Sequence, residues 1–270
     1  MKIELNEIYH GDTFELVHEI NDKSIDLIVC DGPYAVTNKK WDKIKNIQKF
    51  NLEIIKIFSN KLKNGGALYL FGKANCIDFI DYRPYLNLRS KIIWHQPSRL
   101  AQGRINYTNN YDVICYFIKG EKPLVFNLDD IRVPQMVSAE HQKRCERVPS
   151  VVGGKFSKTK FNKDGKNPGD VWGDIKQLTY NSKELISKDG LNTIQKPLKL
   201  IERIVKASSV EKDVVFDPFV GFGTCPVVCK KLNRNFIGME KSEKNCKIAK
   251  KRVNDLSEDD IFIDEDFVEK

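Results

Sequence analysis

The chain reads Ile25-Asp26-Leu27-Ile28-Val29-Cys30 and then breaks into Asp31-Gly32-Pro33-Tyr34. A short apolar run rich in β-branched residues, closed by a Gly-Pro turn, is a strand buried on both faces. Such strands belong to parallel sheets with helices on either side. Next, Asn51 to Leu62 carries apolar residues at 52, 54, 55, 57, 58 and 62, a helical spacing, and Asn64-Gly65-Gly66 closes it before Ala67-Leu-Tyr-Leu-Phe-Gly72. That is a βαβ step. Further strands are expected at Lys91 to His95 and Tyr111 to Ile118, so the first 120 residues read as half of a doubly wound sheet. From Glu121 to Lys188 the periodicity is lost, broken by Gly153-Gly154, Asp164-Gly165 and Pro168-Gly169. It returns as a helix at Lys199 to Lys206, a strand at Asp213 to Phe216, a helix at Pro226 to Leu232, a strand at Asn235 to Met239 and a helix at Lys244 to Val253. The expected organisation is one α/β domain in two halves, 1–120 and 189–256, with an insertion at 121–188 and an acidic tail at 257–270.

Composition supports one folded core: 270 residues, 41% apolar and 30% charged. The net charge of +8 is unevenly placed. Ser257 to Lys270 carries −6, leaving +14 on the remainder, and His141 to Asp170 alone carries +5. A body this basic is compatible with a polyanion, and the basic insertion reads either as a solvated loop or as a surface for phosphates and base edges. Seven cysteines without a C-x-x-C pair argue against a disulfide scaffold or a zinc ribbon and for reduced thiols in a cytoplasm. Four histidines without H-x-E or H-E-x-x-H spacing make a metal centre unexpected. No apolar run approaches the ~18 residues of a membrane span, and the amino terminus lacks an apolar signal region.

Two constellations carry chemistry. Asp217-Pro-Phe-Val-Gly-Phe-Gly-Thr224 lies where a strand turns into a helix, at the carboxyl edge where open α/β sheets bind ligands. Gly221 and Gly223 let backbone approach a ligand, and Glu240, ending the next strand, can accept both hydroxyls of a ribose. A nucleoside-containing cofactor follows; a dinucleotide fits less well, because Pro226 stands at the third fingerprint position. Asp31-Gly32-Pro33-Tyr34 presents a carboxylate, backbone carbonyls and an aromatic ring, which suit a flat ring bearing an amino group. The ring would stack on Tyr34 while Asp31 and the Gly32 carbonyl accept the amino hydrogens.

These residues carry a family resemblance. Asp31 to Tyr34 resembles the D-P-P-Y catalytic motif of amino-group DNA methyltransferases, and Asp217 to Thr224 resembles their S-adenosylmethionine motif. The catalytic motif comes first and the cofactor motif last, the circularly permuted order of the beta class. Gly11-Asp12, Asn167 to Trp172 and Gln195-Lys196-Pro197 agree with this order, and the likeness spans about residues 5 to 253. It looks closest to adenine enzymes of type II restriction-modification systems, in the MboII-like branch. Two positions depart from the pattern: Gly32 replaces the first Pro, and Leu191-Asn-Thr-Ile194 stands where H-P-T is frequent.

The resemblance implies a mostly parallel, seven-stranded sheet and transfer of a methyl group to the N6 of adenine in a specific duplex sequence, with the base flipped out of the helix. It implies catalytic roles for Asp31, Gly32, Pro33 and Tyr34, and a cofactor site of Asp12, Asp31, Lys196, Asp217, Phe219, Gly221, Gly223, Thr224 and Glu240. Asp12 would reach the cofactor's adenine, Asp217 and Phe219 its adenosine, and Lys196 its carboxylate. Candidate DNA contacts are Arg99, Arg132, Lys143, Arg144, Arg147, Lys155, Lys158, Lys160 and Lys163. Trp41-Asp42 fits core packing as well as substrate contact, and Cys225 is read as a small residue under a glycine turn, not as a nucleophile. The expected partner is duplex DNA in a bacterial or phage-infected cytoplasm; a second copy of the chain and a cognate restriction endonuclease are further candidates. Open alternatives are the same chemistry on cytosine N4, whose motif usually begins with Ser, an RNA or protein-amide acceptor, and a catalytically weak DNA-binding homologue.

Overall fold

The computed structural model describes residues 2–37, 39, 42–97, 105, 107–148, 150–152, 155–158, 160–186 and 195–256. In chain order the elements are β1 (Glu7–His10), α1 (Thr13–Leu16), β2 (Ile25–Cys30), α2 (Ile47–Lys61), β3 (Leu62–Gly72), β4 (Asn87–His95), β5 (Tyr111–Ile118), α3 (Ala139–Arg147), β6 (Ser150–Val152), β7 (Lys155–Ser157), β8 (Val171–Trp172), α4 (Leu198–Ser208), β9 (Val214–Asp217), α5 (Thr224–Lys231), β10 (Asn235–Glu240) and α6 (Glu243–Asn254). The main sheet runs β1-β10-β9-β2-β3-β5-β4-β8. Its pairings are parallel except those of β5 with β3 and with β4. β2 and β9, far apart in sequence, lie side by side with Leu27 opposite Val215. The two halves therefore share one sheet.

Side-chain alternation explains why β2 reads as an unbroken apolar run. Leu27 and Val29 join the core under α4, α5 and α6, while Ile28 and Cys30 face the core under α2. α2 offers Ile54, Ile55 and Phe58 to that second core, capped at its start by the Asn46 side chain accepting from the Lys49 N–H. α4 buries Leu200, Ile201, Ile204 and Val205 on the opposite face.

Among the described residues the sheet has eight strands, one more than the resemblance implies. The addition is β8, two residues contributed by the 121–188 segment and paired with Ile93 and Trp94 of β4. It is too short to show a period of two, and it is held by the buried Trp172 and by the Ile93 N–H donating to the Asp170 carbonyl at 2.7 Å. The same segment contains α3 and the antiparallel pair β6–β7 where lost periodicity predicted irregular chain. β1 and α1 also carry too few apolar residues to stand out as elements in the sequence.

Candidate active site

All strands of the main sheet except β5 point their carboxyl ends to one edge, so Asp12, Asp31, Lys73, Gln96, Asp217 and Glu240 cluster there although scattered along the chain. The reversed β5 brings its first residues, Tyr111 and Asp112, to the same edge.

The Asp31–Tyr34 turn leaves β2 directly. The Tyr34 hydroxyl donates to Asp31 Oδ1 at 2.7 Å, and the Lys196 ammonium donates to Asp31 Oδ2 at 2.7 Å. Burial, then the charges of Asp31 and Asp112, push the Tyr34 phenol far above its usual range, so it remains a donor. Beyond Tyr34 the backbone N–H groups of Tyr34, Ala35, Val36 and Thr37 all donate to the Asp42 carboxylate, at 2.7, 2.8, 2.9 and 2.6 Å. Burial works to raise the Asp42 carboxyl, and the bonds from Thr37, Ala35 and Tyr34 outweigh it, leaving Asp42 below the usual carboxylate range. Asp42 therefore holds the loop that carries Tyr34. The sequence offered no sign of this role, because an aspartate binding a loop from eight residues away has no periodicity or motif.

Lys73 and Asp112 complete the wall next to Tyr34. Lys73 Nζ lies 2.6 Å from Asp112 Oδ1 and 5.6 Å from the centre of the Tyr34 ring. Asp112 is buried and also accepts from Gln96 Nε2 at 3.0 Å. Only strand order could reveal this cluster, since its members come from the ends of β3, β4 and β5.

The second turn follows β9. Asp217 is buried, and its carboxylate accepts the Phe219 N–H at 3.0 Å. Burial drives its carboxyl well above the usual range, that bond opposes the rise, and the neighbouring Asp31 and Glu240 add to it. Gly221 (φ 56°) has open space where a Cβ would stand, and Gly223 (φ 85°) packs so closely on α6 that a Cβ would sit 3.0 Å from that of Ala249. Thr224 opens α5 directly behind. Glu240 accepts the Gly221 N–H at 2.8 Å and the Ser242 N–H at 2.7 Å, one on each oxygen. Burial raises its carboxyl, with those two bonds opposing. Each oxygen keeps a lone pair. Open space over Gly221 beside a carboxylate with accepting capacity fits the ribose of a nucleoside. Asp12 caps α1 by accepting the Phe14 N–H and pairs with Lys241 at 2.7 Å. The Gly11 N–H donates to the Glu240 carbonyl, which sets Asp12 beside this turn.

Phe219 joins the two turns: its ring packs on Gly32 so closely that a Cβ there would lie 3.0 Å from Cε2. Cys225 is buried; its bond to Cys229 and its burial both raise the thiol far above its usual range, which disfavours a thiolate nucleophile.

Among the expected DNA contacts, Lys143, Arg144 and Arg147 are exposed on α3, and Lys158, Lys160 and Lys163 are exposed in the stretch after β7. Arg132 differs: its Nε donates to Asp129 at 2.7 Å and its Nη1 to the Gly165 carbonyl at 3.0 Å, so its guanidinium is engaged within the chain. Of Lys155 only the backbone, in β7, is described; Arg99, Trp41 and Leu191 to Ile194 lie outside the described residues.

A sheet of this order, with a carboxylate–aromatic turn and a glycine turn meeting at its carboxyl edge, defines a methyltransferase-type α/β domain. The chain belongs to the DNA methylase family N6_N4_Mtase, whose model matches residues 25–251. It is 32% identical over 262 residues to the type II methyltransferase M.BglII of Bacillus subtilis, covering 92% of this chain and 69% of that one. To the type II methyltransferase M1.MboII of Moraxella bovis it is 30% identical over 250 residues, covering 88% and 92%. Among solved structures, the M1.HpyAVI–SAM complex superposes with a TM-score of 0.61 over 92% of this chain and 98% of that one, at 24% identity.

Proposed function

We propose that this DNA methylase transfers a methyl group to the exocyclic N6 of adenine in a specific duplex DNA sequence, as the modification enzyme of a restriction-modification system. The observation that carries the reading is the junction of the two turns: the Tyr34 hydroxyl donates to the Asp31 carboxylate, and Gly32 between them packs against the Phe219 ring of the glycine turn. An amine conjugated to a purine is a poor nucleophile, because its lone pair is delocalised into the ring. Asp31 and the Gly32 carbonyl accept its two hydrogens, which favours a tetrahedral nitrogen and localises the pair. Tyr34 stacks on the flipped base, and Asp42 keeps Tyr34 in place. An aspartate at position 31, where cytosine-N4 enzymes usually carry serine, supports adenine as the acceptor.

Glu240, Gly221, Gly223, Asp217, Phe219, Thr224, Asp12 and Lys196 would hold S-adenosylmethionine, with Glu240 at the ribose and Lys196 at the carboxylate. When bound, that cofactor supplies an electrophilic methyl on a sulfonium. The cations of α3 and of residues 158–163 meet backbone phosphates, which position the duplex without reading its sequence. The test is transfer of radiolabelled methyl groups to duplex DNA, with the modified nucleoside identified by mass spectrometry. N6-methyladenine supports the reading, N4-methylcytosine replaces the acceptor, and no incorporation refutes it.

A further inference from the structure

Lys73 carries hydrogen-bond donors to spare beside the ring assigned to the target base. It follows β3, its Nζ donates to Asp112 Oδ1 at 2.6 Å, and its side chain is only 25% exposed. An ammonium has three hydrogens. Among the described residues Asp112 is the one hydrogen-bond partner of this ammonium, so two hydrogens remain. The same Nζ stands 5.6 Å from the centre of the Tyr34 ring. A flat ring stacked on an aromatic one brings its own centre to about 4.5–7 Å. The edge of a base stacked on that side of Tyr34 comes within reach of Lys73.

The ammonium is held where it stands. Asp112 is buried, and Gln96 Nε2 donates to its other oxygen at 3.0 Å. Gln96 is also buried, and its backbone N–H donates to the Asn110 carbonyl at 2.7 Å. An ion pair on a buried carboxylate is a poor stabiliser, because the desolvation of both charges offsets their attraction. What the arrangement does provide is a donor fixed at the wall of the target pocket.

A donor has work there. Asp31 and the Gly32 carbonyl grip the base at its amine alone, and a base gripped at one atom can still rock in its own plane and carry the lone pair off line. A bond at a neighbouring ring nitrogen removes that freedom. Adenine has an unprotonated nitrogen on each flank of its amine, N1 on the pairing edge and N7 on the other.

We propose that Lys73 contacts the target base: it donates to the ring nitrogen beside the amine, N1 or N7, and fixes the rotation of the base, with Asp112 and Gln96 as positioning residues behind it. This rests on the functional reading above.

The experiment compares steady-state methylation of duplexes with adenine, 1-deazaadenine or 7-deazaadenine at the site that the wild type methylates. Each analogue replaces one ring nitrogen by C–H and keeps the amine. The wild type should lose about tenfold or more in kcat/KM on at least one analogue, the size of a lost charge-assisted bond. Lys73→Met should fall by a similar factor on adenine and should separate adenine from that analogue by about twofold or less. A deaza base also alters the amine itself, so the decisive quantity is this ratio compared between proteins. Lys73→Arg, which keeps a charged donor, should retain part of the ratio, and Asp112→Asn, which loosens the ammonium, should lower it. A merely structural role would slow all three substrates alike and preserve the ratio. A folded Lys73→Met with the wild-type ratio overturns the contact and leaves the functional reading standing. So does a wild type that loses nothing on either analogue, an outcome that needs no variant to fold. A wild type that methylates no adenine overturns the functional reading, and the contact with it.

Discussion

Asp42→Asn tests whether a single buried carboxylate holds the loop that carries Tyr34. Asp42 is 1% exposed and accepts four backbone N–H groups, two on each oxygen. An amide keeps one oxygen and turns an NH2 group toward the other pair, so two donors lose their partner. Hydrogen bonds to a charged group contribute about 1.5–3 kcal/mol each, and an N–H left facing another donor costs more. Ala35, Val36 and Thr37 are exposed, so water replaces part of the loss. The expected destabilisation is about 2–3 kcal/mol in urea unfolding at pH 7. Because Asp42 lies below its ordinary value in the folded state, the wild type should hold this contribution above about pH 4 and lose it as pH falls further. Asp42→Asn should lack that acid limb. Turnover should fall by about tenfold or more as Tyr34 loses its anchor, while cofactor affinity stays unchanged. A variant within about 0.5 kcal/mol of the wild type with an undiminished rate would refute the reasoning.

Three further outcomes follow from the same geometry. On sequence grounds alone Gly32→Pro is tolerated or beneficial, since Pro keeps the carbonyl and stiffens the turn; the Phe219 ring, 3.0 Å from the added Cβ, predicts instead a folded protein with cofactor binding weakened about threefold or more. Adding Phe219→Leu should recover part of that loss, and calorimetry showing wild-type affinity for Gly32→Pro would dismiss the clash. Asp217→Asn should raise the melting temperature at pH 8 and leave it little changed at pH 4: a carboxyl raised by burial stabilises the fold when protonated and loses that contribution as pH rises through its folded value. Lower melting at both pH values would show that the charge is needed. Replacing Lys143, Arg144 and Arg147 together by Ala should lower the slope of log affinity against log salt by about 2–3, at about 0.9 per phosphate contact, without changing stability, because α3 buries none of its residues. An unchanged slope would remove α3 from the DNA-binding surface.

What the sequence by itself determined is local. The apolar run at 25–30, the helical spacing at 51–62 and the glycine turn at 217–224 each specify their own conformation through side-chain period and turn chemistry, and they are found where they were read, within a few residues at their ends. The two motifs were legible for the same reason, since each is a strand end with its turn. The eighth strand was not, because two residues carry no period, and neither was the nest of N–H groups on Asp42. Which charges meet was beyond the sequence altogether. Lys196 reaches Asp31 across 165 residues, and Lys73 reaches Asp112 because β5 runs against β3. Strand order decides these pairs, and it is set by burying both faces of one sheet at once, a condition on the whole chain that no segment satisfies alone.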